Sequence, residues 1–110
     1  MKNIVVIKDP NPDEPVESGK DIVVKELFKG PFRNIVEIRL RNDAKLSRHK
    51  ATEPITVFCI SGSGVFNAGS QMEESLRLRA GTLITLEPGV EHEVLSEPAL
   101  DIIVTKFTGS

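Results

Sequence analysis

Apolar residues recur along this chain in short runs spaced two apart, the period of strands rather than helices. From Ile35 to Arg41 the alternation is clean, with Val36, Ile38 and Leu40 on one face and Glu37, Arg39 and Arg41 on the other. That pattern predicts a half-buried strand whose charged face is solvated and pairs with neighbouring carboxylates. Ile55, Thr56, Val57, Phe58, Cys59 and Ile60 form an unbroken β-branched and aromatic run, which predicts a strand covered on both sides. Residues 64–69 read as its hairpin partner, turned at Ser61, Gly62, Ser63 and Gly64. Further strands are predicted over residues 22–28, 75–79, 82–86, 92–95 and 100–107, with an edge strand at residues 4–7. Residues 9–15 hold three prolines, Pro10, Pro12 and Pro15, and predict an extended arm outside any ladder. Turn residues separate the runs at intervals of about ten residues, the spacing of an all-β sandwich or barrel. No window of a dozen residues carries a helical stripe.

Length makes this one domain, residues 1–110, because two cores of about 55 residues would each sit near the lower limit for independent folding. Lys and Arg number 14 and Asp and Glu 16, a net charge of −2. There is no basic surplus to neutralise phosphates, so a nucleic-acid partner is not expected. The apolar run at residues 4–7 is shorter than the roughly 7–15 of a secretory leader or the roughly 20 of a membrane span. The expectation is a soluble, cytoplasmic protein with no membrane partner. The single cysteine, Cys59, excludes an intramolecular disulfide. With only two histidines, His49 and His92, one subunit cannot build a three-histidine or four-thiolate metal site.

Each histidine lies in a distinctive segment. The first runs from Asp43 through His49, Ala51, Glu53 and Ile55 to Gly62 and Gly64, and the second from Gly81 through Pro88 and Gly89 to His92. Together they resemble the cupin family of small RmlC-like jelly-roll barrels over residues 33–107, preceded by an N-terminal strand and arm over residues 1–20. Gly81, Gly89 and His92 keep the spacing of the family's second motif, with the proline one place late at Pro88. In the first motif, anchored on Gly62, His49 takes the first histidine position. Ala51 stands where a second histidine is usual, Ile55 where a glutamate is usual and Asp43 at the leading glycine. The resemblance implies an all-β double-stranded β-helix with two of four usual metal ligands, and a two-fold homodimer in which the arm adds to the partner's sheet edge. A second register makes His49 and Glu53 a ligand pair, with Glu53 as a third ligand beside His92.

The residues themselves describe the interior. His49 and His92 are both expected to project from strand starts, and inward and outward positions alternate in a closed barrel. If His49 points in, so does Ala51; Ile55, Val57 and Cys59 share one parity, and His92, Val94 and Ser96 another. The expected pocket is therefore an apolar cup of Ala51, Ile55, Val57 and Val94 holding two imidazoles and the Cys59 thiol. Phe58 and Ile60 then face outward and call for a cover, either the arm or a second subunit. The alternation of Arg39, Arg41, Arg77 and Arg79 with apolar residues places them on a solvated face rather than in an anion clamp.

Three functions suit such a cup. One is binding of a small molecule beside a degenerate metal site. Another is a metal-dependent oxygenase or isomerase, with a divalent transition metal held by His49 and His92. The third is a metal-free isomerase using one histidine for proton transfer, oriented by Glu53, Glu91, Glu93 or Asp101.

Overall fold

The computed structural model describes residues 3–8 and 20–109. These residues are all-β, with β1 (Ile22–Lys29), β2 (Arg33–Leu40), β3 (Lys45–His49), β4 (Ile55–Ala68), β5 (Glu74–Arg79), β6 (Leu83–Leu86) and β7 (His92–Phe107). Among them no helix is long and apolar enough to cross a membrane. The ladder reaches back to Ile22, upstream of the stretch that carries the family-like motifs.

Two long strands set the architecture. β4 has 14 residues and β7 has 16. They pair antiparallel from Ile55 opposite Lys106 to Ala68 opposite His92. The register shifts twice, between Cys59 and Ser61 and between Gly62 and Gly64, and such bulges bend and twist a strand. On one side of the bend lie β1, β2, the second half of β7, the first half of β4, and β6. On the other lie β3, the first half of β7, the second half of β4, and β5. A five-stranded and a four-stranded layer thus share β4 and β7, the arrangement in which strands switch sheets at a corner. Leu40, Val57, Cys59, Leu100 and Ile102 from the first layer meet Phe66, Leu78 and Val94 from the second in one buried core.

The hairpin expected at residues 61–64 does not form, because β4 continues through them as one bent strand. The glycines are needed for close approach of backbones rather than for chain reversal. Gly62 has φ +86°, and a Cβ there would lie 2.2 Å from the Ala99 carbonyl oxygen. A Cβ on Gly64 would lie 2.2 Å from the Leu95 carbonyl oxygen. Residues 92–95 and 100–107, expected as two strands, are likewise one strand, β7, which contains a cis Glu97–Pro98 peptide. β3 escaped the pattern because Leu46 is the one apolar residue in its five.

The outer face of β2 also departs from expectation. Glu37 is 1% exposed, not solvated. The Lys8 ammonium sits 2.6 Å from its carboxylate, and the Arg39 guanidinium adds a 3.5 Å contact from the same strand. Lys8 arrives from outside the ladder, so the alternation within β2 could not reveal this cover. Arg41 pairs with Asp101 at 2.6 Å and Arg77 with Glu97 at 3.1 Å. Residues 4–7 are not a strand. Ile4, Val5 and Val6 are exposed and have no ladder partner. The proline arm of residues 9–15 lies outside the described residues.

The bend yields a direct test. Gly81 also has positive φ, +96°, but a Cβ there meets nothing within 4 Å. Gly81→Ala should therefore cost only the left-handed backbone term, about 1–2 kcal/mol. Gly62→Ala adds the clash with Ala99 and should cost about 3 kcal/mol or more. Urea unfolding of the two variants checks this, and equal midpoints would show that the bend tolerates a side chain.

Candidate functional site

The corner brings the two histidines together. His49 ends β3 rather than starting a strand, whereas His92 is the first residue of β7. They are register partners across the β3–β7 ladder, and directly opposed residues project to the same face. Their ring centroids are 4.1 Å apart, at an interplanar angle of 61°. Phe66 stacks on His92 at 5.6 Å and 10°.

Both rings are fixed by backbone. His49 Nδ1 lies 2.7 Å from the Ser47 carbonyl oxygen, and His92 Nδ1 lies 3.0 Å from that of Val90. A carbonyl can only accept, so each Nδ1 carries the proton and donates it. In the neutral ring that leaves Nε2 with a lone pair. Burial holds the His92 pKa below its ordinary value; the Val90 carbonyl opposes that shift and the neighbouring His49 adds to it. His92 is therefore a neutral acceptor at neutral pH.

The imidazoles open into a cavity of about 180 Å³. Ile38, Ile55, Val57, Ile102 and Val104 line it from the five-stranded layer, and Leu46, Phe66 and Val94 from the four-stranded one, with Ala51 from the loop between β3 and β4. Lys50 and Lys106 complete the lining. The expected pocket residues His49, Ala51, Ile55, Val57, His92 and Val94 thus share one cavity. Cys59 does not line it. It is fully buried in the core, its thiol directed at the Ser61 carbonyl oxygen at 3.5 Å. Burial raises its pKa, so it supplies no thiolate.

The sequence offered no way to single out Phe66 and Leu46, because their placement depends on the β4 bend and the short β3. Lys106 was within reach of simple parity. Leu100, Ile102 and Val104 precede it at alternate positions on β7, so it continues an inward row.

None of the four candidate carboxylates orients an imidazole. Glu53 accepts from the Thr52 hydroxyl at 2.8 Å and is absent from the cavity wall. Glu91 pairs with Arg48. Glu93 is held by Lys45 at 3.0 Å and by Asn67 at 3.1 Å, which keeps its carboxyl below the usual range. Asp101 pairs with Arg41 and accepts from Ser61. Backbone carbonyls do the orienting instead.

This donor set also bears on a metal. A histidine whose Nδ1–H is held by a carbonyl presents Nε2 as metal-binding imidazoles do. Among the described residues, however, no third His, Cys, Asp or Glu joins the pair in a metal-holding group. Catalytic zinc sites use three protein ligands, so the residues present do not fit a firmly held catalytic metal.

No family model matches the chain, and no curated protein matches it. Solved structures do. A conserved protein of unknown function from Streptococcus pyogenes superposes with a TM-score of 0.75 at 14% identity, covering 99% of each chain. A cupin superfamily protein from Desulfitobacterium hafniense gives 0.76 at 9% identity, covering 94% of this chain and 98% of that one. An RmlC-like cupin with a double-stranded β-helix fold from Methanocaldococcus jannaschii gives 0.70 at 16% identity, covering 84% and 86%. With two layers sharing β4 and β7 and these structural neighbours, the chain has the cupin double-stranded β-helix fold.

Proposed function

We propose that this cupin-fold chain binds a small, mainly apolar molecule in its cavity, oriented by hydrogen bonds to His49 and His92. The observation that carries this is an apolar wall broken by two imidazoles, each with Nδ1 committed and Nε2 uncommitted among the described residues. An engineered apolar cavity of about 150 Å³ admits benzene, so the 180 Å³ here suits a single ring or its aliphatic equivalent. The neutral His92 places an acceptor at the wall and favours a ligand that donates a hydrogen bond.

Phenol and toluene are the probes, read by methyl chemical shifts of Val57, Val94 and Ile102. Both should saturate, with phenol about fivefold tighter, the worth of one added hydrogen bond. Val57→Phe, which fills the cavity, should remove both while the far-ultraviolet spectrum stays β-rich. Absence of saturable shifts, or equal binding by Val57→Phe, contradicts the reading.

A second reading keeps the histidine pair as a weak divalent-metal site, favoured by the Nδ1–carbonyl bonds alone. Under the first reading, protein purified without added metal contains far less than one equivalent by elemental analysis, and His49→Ala leaves that content unchanged. Full occupancy lost in His49→Ala would favour the second.

We further propose a homodimer across the outer face of the five-stranded layer. Phe58 faces Leu83 and Ile103 in one cross-strand row, and Phe58 and Leu83 are exposed. The exposed Ile4, Val5 and Val6 lead into Lys8, which is anchored on Glu37 beside Ile103 in the same row. An apolar row and an apolar extended segment on one face are self-complementary in a two-fold pair. Light scattering should give twice the chain mass, and Phe58→Glu should give one chain mass. A monomeric parent protein contradicts the dimer.

A further inference from the structure

We infer that the cavity selects a carboxylate: an apolar ring or branched chain of roughly six to ten non-hydrogen atoms, its hydrogen-bond donor turned to the imidazoles and its carboxylate held between Lys50 and Lys106. This rests on the small-molecule reading above and names the chemical class.

Four nitrogen-bearing side chains, His49, His92, Lys50 and Lys106, line the cavity, and no Asp or Glu does. Lys106 is not a stray surface cation. It follows Ile102 and Val104 on the inward row of β7, opposite Ile55 of β4 and Asn34 of β2. That is a position where the strand's pattern calls for another apolar residue. Lys50 directly follows His49 and faces the same cavity.

Lysine stems often lie along apolar surface with the ammonium in water, so lining alone does not decide the matter. Pairing does. Cations elsewhere on the β3–β7 wall are neutralised, Lys45 by Glu93 and Arg48 by Glu91. Asp101 likewise takes up Arg41. Among the described residues no carboxylate pairs with Lys50 or Lys106. The charges of Lys50 and Lys106, both exposed side chains of the cavity lining, are thus left for an anion from outside the chain. A ligand carboxylate at an apolar wall would find two ammonium groups, and its body would displace water from the Ile55, Val57 and Phe66 surface.

Benzoate and nitrobenzene test this, because they share shape, neither donates a hydrogen bond to the imidazoles, and they differ in charge. Both are titrated against the full chain, Lys50→Gln, Lys106→Gln and the double variant, with toluene in each series as the reference for an intact cavity. Benzoate should bind about five- to tenfold tighter than nitrobenzene at low salt, the worth of two partly exposed ion pairs. Each single variant should lose part of that preference, and the double variant should bring the two ligands within twofold with toluene affinity unchanged. Raising sodium chloride from about 20 to about 200 mM should narrow the ratio in the parent protein. Toluene binding without a benzoate preference, or a preference that survives the double variant, overturns the lysine assignment and leaves the cavity reading standing. Failure of toluene and phenol as well overturns the cavity reading.

Discussion

Everything in this molecule depends on the pairing of β4 with β7 through a bend. Two strands of 14 and 16 residues would ordinarily make one flat ribbon with two wet faces. The bulges at residues 59–64 break that ribbon into two layers that fold over one another. Backbone then approaches backbone so closely at Gly62 and Gly64 that no side chain fits. The apolar surfaces of Val57, Cys59 and Ile102 meet those of Phe66, Leu78 and Val94 because of it. Burial at roughly 25 cal/mol per Å² rewards that closure, and it joins both layers of the described residues in one core.

The same bend places the chemistry. β7 carries His92 at its start, and β3 can reach it only as the neighbour of that first half. The two imidazoles are thereby locked face to edge at the cavity wall, their protons drawn to Ser47 and Val90. A site oriented by main-chain carbonyls needs no carboxylate partner, so Glu53, Glu91, Glu93 and Asp101 are free to serve the surface. What remains is an apolar cup whose lining includes the two imidazoles and the side chains of Lys50 and Lys106. That combination suits selective binding better than acid–base work, which wants a group poised to gain and lose a proton with its counter-charge beside it.

Much of the architecture was legible in the sequence because burial follows alternation. Val36, Ile38 and Leu40 announced β2, and the continuous run from Ile55 to Ile60 announced a covered strand. The glycines misled, since a Gly-rich stretch between two apolar runs reads as a turn, and only the opposing strand shows that it is a bend. Glu37 misled for a related reason: its cover, Lys8, comes from 29 positions upstream and outside the ladder. His49 and His92 could be proposed as a pair from the motifs that surround them, but Cys59 could not be separated from the pocket by parity. It shares the inward side with Val57 yet lies beyond the end of the cavity, and depth along a strand is invisible to a period of two.

The central claim is that both imidazoles give their Nδ1–H to backbone and that His92 is neutral and open on Nε2. Long-range proton–nitrogen correlation spectroscopy of the histidine side chains reads this directly. At about pH 7.5 the account predicts a proton on Nδ1 of both rings and, for His92, a pyridine-type Nε2. An Nε2–H tautomer or an imidazolium at His92 would contradict it.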